Sequence, residues 1–157
     1  MRVGDIVEDF ELPDETGRLR RLTGLLSGGP VVLFFFPAAL SPQCVAEACR
    51  FRDVAAEFAA VGAQPVGISG DTVRRQEQFK RKHELGYPLL SDMDGTVRDR
   101  FDIFRMPDFV PALARDRRNT FIIDSDRRVL DIIKASIRVS VHADMALDFL
   151  RQRAGRS

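Results

Sequence analysis

The sequence predicts an α/β fold: a mixed central sheet with helices on both faces, preceded by a short N-terminal hairpin. Three observations carry this. Residues 31–36, VVLFFF, form a continuous apolar run, as a strand buried on both faces requires. From there, short β-branched or apolar segments alternate with amphipathic helical ones. Near the C-terminus two apolar segments bracket SDRR, a hairpin signal, before a last helix. A chain of 157 residues predicts one domain over 1–157 with enough core to fold unaided.

Taken in order, FELP and RLRRL flank the turn signal DETG (14–17) and predict the hairpin. LSGGP (26–30) is a loop leading into the buried strand. After Pro37, residues 42–60 read as one helix, with Val45, Ala48, Cys49, Phe51, Val54, Ala55 and Phe58 on its apolar stripe. QPVGIS (64–69) is a strand, and Asp71 or Thr72 is positioned to cap a helix over 73–85. YPLLSD (87–92) predicts a strand and GTVRDRF (95–101) a short helix. Residues 103–118 contain two prolines and no period, a loop. NTFIID (119–124) and VLDIIKA (129–135) are the hairpin strands, and 142–153 the final helix.

Composition narrows the function classes. The chain is 45% apolar and 30% charged, with a net charge of +1, so it has no bulk attraction for nucleic acid or anionic membrane. The basic stretches are interleaved with acids and carry few aromatics. The first 17 residues include acids and lack an apolar core, unlike a secretory signal. The longest apolar run, 31–40, is about half the ~20 residues of a membrane span, and Pro37 interrupts it. A soluble, cytoplasmic protein is expected. Two cysteines are too few for a secreted disulfide scaffold, and in a reducing compartment such a pair points to redox chemistry or metal. Zinc is disfavoured: His83 and His142 lack ligand spacing, and each lies in a charged amphipathic helix that reads as surface. No cofactor is expected.

The chemistry concentrates in FFFPAALSPQCVAEACRFRD (34–53). The buried strand ends at Pro37, and a helix begins with Ser41 as N-cap and Pro42 at its first position. Cys44 falls in the first turn, where the helix dipole favours a thiolate over a thiol. Ser41, three residues earlier, is near enough to place its hydroxyl beside the sulfur. Cys49 is five residues on, which on an intact helix means about 7.5 Å of rise and about 140° of rotation. A disulfide needs Cα atoms within roughly 4.4–6.8 Å, so the two can bond only if the first turns unwind. A transient bridge fits this spacing; a permanent one does not.

These residues resemble a known family. P-A-A-L-S-P-Q-C (37–44) is similar to the peroxiredoxin motif P-x-x-x-[T/S]-x-x-C, and C-x-x-E-A-C-x-F-R-D (44–53) to its bacterioferritin-comigratory-protein, or peroxiredoxin Q, group. GDIVEDFELPDETG, VGISGD (66–71), F-x-x-K-x-x-L-x-Y-P-L-L-S-D (79–92) and R-N-T-F-I-I-D (118–124) extend the resemblance over most of the chain. It implies a thioredoxin-like fold and a peroxidase acting on hydrogen peroxide or organic hydroperoxides, recycled by thioredoxin or a similar dithiol protein. By motif position Cys44 is the peroxidatic cysteine and Cys49 the resolving one. Pro37 shields the sulfur, Ser41 replaces the commoner Thr, Arg118 stabilises the thiolate and Glu47 orients that arginine. Three positions depart from the pattern: Gln43 for Gly, Val45 for Thr and Gln76 for His. None removes an atom the chemistry needs. A general thiol–disulfide oxidoreductase, which typically uses C-x-x-C, and a redox-sensing binding module are the competing readings. The chain is expected to be a monomer or weak homodimer.

Overall fold

The computed structural model describes residues 1–103, 119–134 and 141–155. The predicted hairpin forms from β1 (Glu11–Pro13) and β2 (Leu19–Arg21), paired antiparallel. Its turn reaches across the molecule: Glu15 accepts from Lys80 Nζ at 3.0 Å, tying the hairpin to the helix that carries F-x-x-K. A single helical turn, α1 (Leu22–Leu25), and a 3-10 turn at Leu26–Gly28 follow. Four residues are too few to show a helical period, so the sequence alone does not disclose α1.

The main sheet has five strands in the order β5-β4-β3-β6-β7. β3 (Val31–Phe35) lies at its centre, parallel to β4 (Gln64–Ser69) and antiparallel to β6 (Thr120–Ile123). β5 (Leu89–Ser91) runs parallel to β4, and β7 (Val129–Ile133) antiparallel to β6. Every residue of β3 is buried. The period-2 geometry sends Val32, Phe34 and Phe36 into one core and Val31, Leu33 and Phe35 into the other.

On the first face α2 (Pro42–Asp53), α3 (Ala55–Ala60), α4 (Val73–His83) and α6 (Val141–Ala154) contribute Phe51, Phe58, Phe79 and Leu147. On the second, α1 and α5 (Thr96–Arg100) contribute Leu22, Leu25 and Val97. Gly67 lies close against the first core. A Cβ there would lie 2.8 Å from Leu89 Cδ2 and 3.0 Å from the Phe34 ring, so a larger residue would make the aromatic layer shift.

Two expectations need correction. The helix read over 42–60 breaks at Val54, which has φ −106 and ψ 16. The apolar stripe crosses the break, with Phe51, Val54 and Phe58 all buried, which is why periodicity reads it as one helix. His142, expected on an exposed face, is fully buried. Its Nδ1 lies 2.7 Å from Thr120 Oγ1, because α6 packs that face onto the sheet and a strand hydroxyl satisfies the ring. Residues 104–118, read as loop, lie outside the described residues; Ile103 at the edge of that segment is buried.

Candidate active site

The end of β3 and the start of α2 meet over the C-terminal edges of the parallel strands. Phe36 N–H donates to Ile68 O at 3.0 Å, holding the strand against β4 for one residue beyond its end. The chain then turns through Pro37, Ala38, Ala39 and Leu40, with Pro37 exposed and Ala39 buried. Leu40 takes φ +67, a left-handed conformation uncommon for a residue with a side chain. Ser41 is extended (φ −70, ψ 148), and Pro42 opens the helix as the sequence predicts.

Ser41 holds the N-cap position, but its hydroxyl does not cap. It donates to Ala38 O at 3.1 Å, tightening the loop behind it. Val45 N–H bonds to Ser41 O at 2.9 Å, so Cys44 lies in the first turn. The Cys44 side chain is 1% exposed, within the first core. Glu47, one turn on, is equally buried at 1%. Cys49 is half-buried further along the same unbroken helix, and neither cysteine is in a disulfide.

The second half of α2 is tied down on three sides. Tyr87 Oη donates to Ala48 O at 2.6 Å. Arg50 grips Asp144 of α6 with Nη2–Oδ1 at 2.7 Å. Arg52 donates to His83 O at 2.7 Å and to Asp53. Burial, with the charges of Cys49 and Glu47 adding to it, pushes the Tyr87 phenol well above its usual range, so it stays a hydrogen-bond donor.

Pro37, Ser41, Cys44, Glu47 and Cys49 thus lie along one strand–loop–helix segment. Arg118 lies outside the described residues; its neighbour Asn119 accepts from Phe35 N–H at 3.0 Å, at the end of β3. Sequence patterning alone does not mark Tyr87 and Asp71 as site residues. The motifs containing them, YPLLSD and VGISGD, were the available signal. Among the described residues no group of three or more His, Cys, Asp or Glu is arranged to hold a metal. No helix among them is long and apolar enough to cross a membrane.

Comparison with known proteins identifies this arrangement. The AhpC/TSA family model matches residues 3–132. Peroxidoxin BcpB from Mycobacterium tuberculosis has a crystal structure that superposes with a TM-score of 0.90 at 53% identity, covering 97% of each chain. Peroxiredoxin Bcp of Escherichia coli is 32% identical over 155 residues, 98% of both chains. Peroxiredoxin Q of Xanthomonas campestris superposes with a TM-score of 0.82 at 26% identity, over 92% of this chain and 91% of that one. The chain belongs to the AhpC/TSA family, among the peroxiredoxins of the Bcp and peroxiredoxin Q group, with their thioredoxin-like fold.

Proposed function

We propose that the protein is a thioredoxin-dependent peroxidase of the atypical two-cysteine type, acting as one domain in the cytoplasm. The observation that carries this reading is the placement of Cys44 in the first turn of α2 with Cys49 on the same helix. The Cys44 thiolate attacks the terminal oxygen of a hydroperoxide. The O–O bond breaks, the sulfur is oxidised to a sulfenic acid, and the released alkoxide or hydroxide takes up a proton. Arg118, backbone N–H groups and the Ser41 hydroxyl, once it turns from Ala38 O, act on the charge that develops on the two oxygens. A carboxylate as buried as Glu47 calls for a cationic partner, which supports its role in orienting Arg118. Pro37 limits access to the sulfur.

Cys49 then attacks the sulfenic sulfur, forming the disulfide and releasing water. Because the two residues share an intact helix, this step unwinds the start of α2. A dithiol protein of the thioredoxin kind reduces the disulfide by exchange and leaves both cysteines as thiols. Stopped-flow peroxide consumption with a thioredoxin couple tests the reading. Catalytic consumption is expected of the wild type and none of Cys44→Ser, whose hydroxyl is a far poorer nucleophile toward oxygen. Oxidation that is stoichiometric and not catalytic favours a redox-sensing module instead.

A further inference from the structure

Ala39 lies midway along the loop between β3 and α2, and both polar groups of its backbone are held by residues at the start of α4. Its N–H donates to Asp71 Oδ2 at 2.7 Å, and its carbonyl accepts from Arg75 Nη2 at 3.2 Å. Asp71 and Arg75 also pair with each other, Nε to Oδ1, at 3.2 Å. Behind them, Ser69 Oγ donates to Asp71 Oδ2 at 2.7 Å and accepts from Gln76 Nε2 at 2.9 Å. Ser69 and Gln76 are buried, at 5% and 0% exposed, and the Asp71 side chain is 11% exposed.

Helix α4 does not use Asp71 as its cap. Thr72 Oγ1 does that, accepting from Arg75 N–H at 3.2 Å. The Asp71 carboxylate is therefore committed to the loop. The next residue after Ala39 is Leu40, whose left-handed φ of +67 persists only where its surroundings over-determine it. Ser41 and Pro42 follow directly, and these set where α2 begins and so where Cys44 sits.

We propose that Asp71 and Arg75 are positioning residues for the peroxide step. By clamping both sides of Ala39 they hold the strained loop, and through it the first turn of α2, in the geometry from which Cys44 attacks. Ser69 and Gln76 fix the clamp from the core. The proposal rests on the peroxidase reading above.

The test uses protein carrying Cys49→Ser, so that Cys44 is the only thiol. Two rates are measured: oxidation of Cys44 by hydrogen peroxide, and its alkylation by iodoacetamide. Asp71→Ala is expected to slow oxidation by about 10-fold or more while alkylation does not slow, because misplacement affects the aligned O–O displacement most. Asp71→Asn, whose amide oxygen can still accept from Ala39 N–H, is expected to recover most of the oxidation rate. Arg75→Ala, at a half-exposed site that does not threaten folding, is expected to slow oxidation in the same selective way. If both alanine variants oxidise at the parent rate, if oxidation and alkylation slow together, or if Asn at 71 is no better than Ala, the clamp is not a positioning device. A parent that does not react with peroxide overturns the peroxidase reading and this proposal with it. A reactive parent with equally reactive alanine variants overturns the proposal alone.

Discussion

The phenol of Tyr87 donates a 2.6 Å hydrogen bond to the carbonyl of Ala48, the residue immediately before Cys49. With the Arg50–Asp144 pair and the Arg52–His83 carbonyl contact, it anchors α2 from its middle to its end. The first turn, with Cys44, depends instead on the loop behind it. Unwinding needed for a Cys44–Cys49 bond therefore has to work against the Tyr87 latch.

Tyr87→Phe removes the donor and keeps the ring packed at 5.7 Å from Phe34. The loss of one buried hydrogen bond should cost about 1 kcal/mol of stability. If that bond also resists unwinding, disulfide formation should accelerate by roughly fivefold, while the peroxide step keeps its rate. Because the chain has no Trp and Tyr87 is its one Tyr, rapid acid quench with mass spectrometry, which follows sulfenic acid formation and then disulfide formation as two phases, separates the steps. A slower second phase, or an unchanged one, would show that the latch does not govern opening.

Cys49→Ser should leave the first oxidation fast, accumulate Cys44 as sulfenic or overoxidised acid, and stop turnover with thioredoxin. Mass spectrometry after one equivalent of peroxide reads the oxidation state. In the wild type, hydrogen exchange over residues 42–50 should be faster in the oxidised protein than in the reduced one. Equal protection in the two states, alongside a confirmed Cys44–Cys49 bond, is incompatible with unwinding.

Arg118→Ala should slow Cys44 oxidation by about 10²-fold or more, the usual consequence of losing a preorganised donor aimed at developing charge. The rate is measured under single-turnover conditions. A wild-type rate would move the role to another arginine, with Arg115 and Arg117 next in line.

Stability should fall in acid partly through Asp14. Burial alone would raise its carboxyl, but hydrogen bonds from the Thr16 hydroxyl and N–H, the Arg20 guanidinium and the Arg18 N–H outweigh that and hold it below the ordinary value. A folded-state pKa below the unfolded one gives stability that is fully present above the unfolded value, about 4, and lost as pH falls through the folded one. Urea unfolding of the wild type should therefore weaken more steeply below about pH 4 than that of Asp14→Asn. Parallel pH profiles would remove Asp14 from the acid response.

Much of the molecule was legible in the sequence because the signals are local. The two-sided burial of β3 follows from an unbroken apolar run, the start of α2 from Ser41-Pro42, and the need for unwinding from five residues of helical rise between Cys44 and Cys49. The family motifs extended that reading to the fold. What only the tertiary structure decided involves partners far apart in the chain. Asp71 satisfied the sequence rules for a helix cap, yet its carboxylate holds Ala39, 32 residues away, because β3 and β4 run parallel and end side by side. His142 reads as surface until α6 lays it against Thr120, 22 residues away. The Tyr87 latch spans 39 residues. Periodicity and capping report interactions within a few residues; which side chain meets which across the sheet is set by strand order and helix packing, and no local pattern contains that.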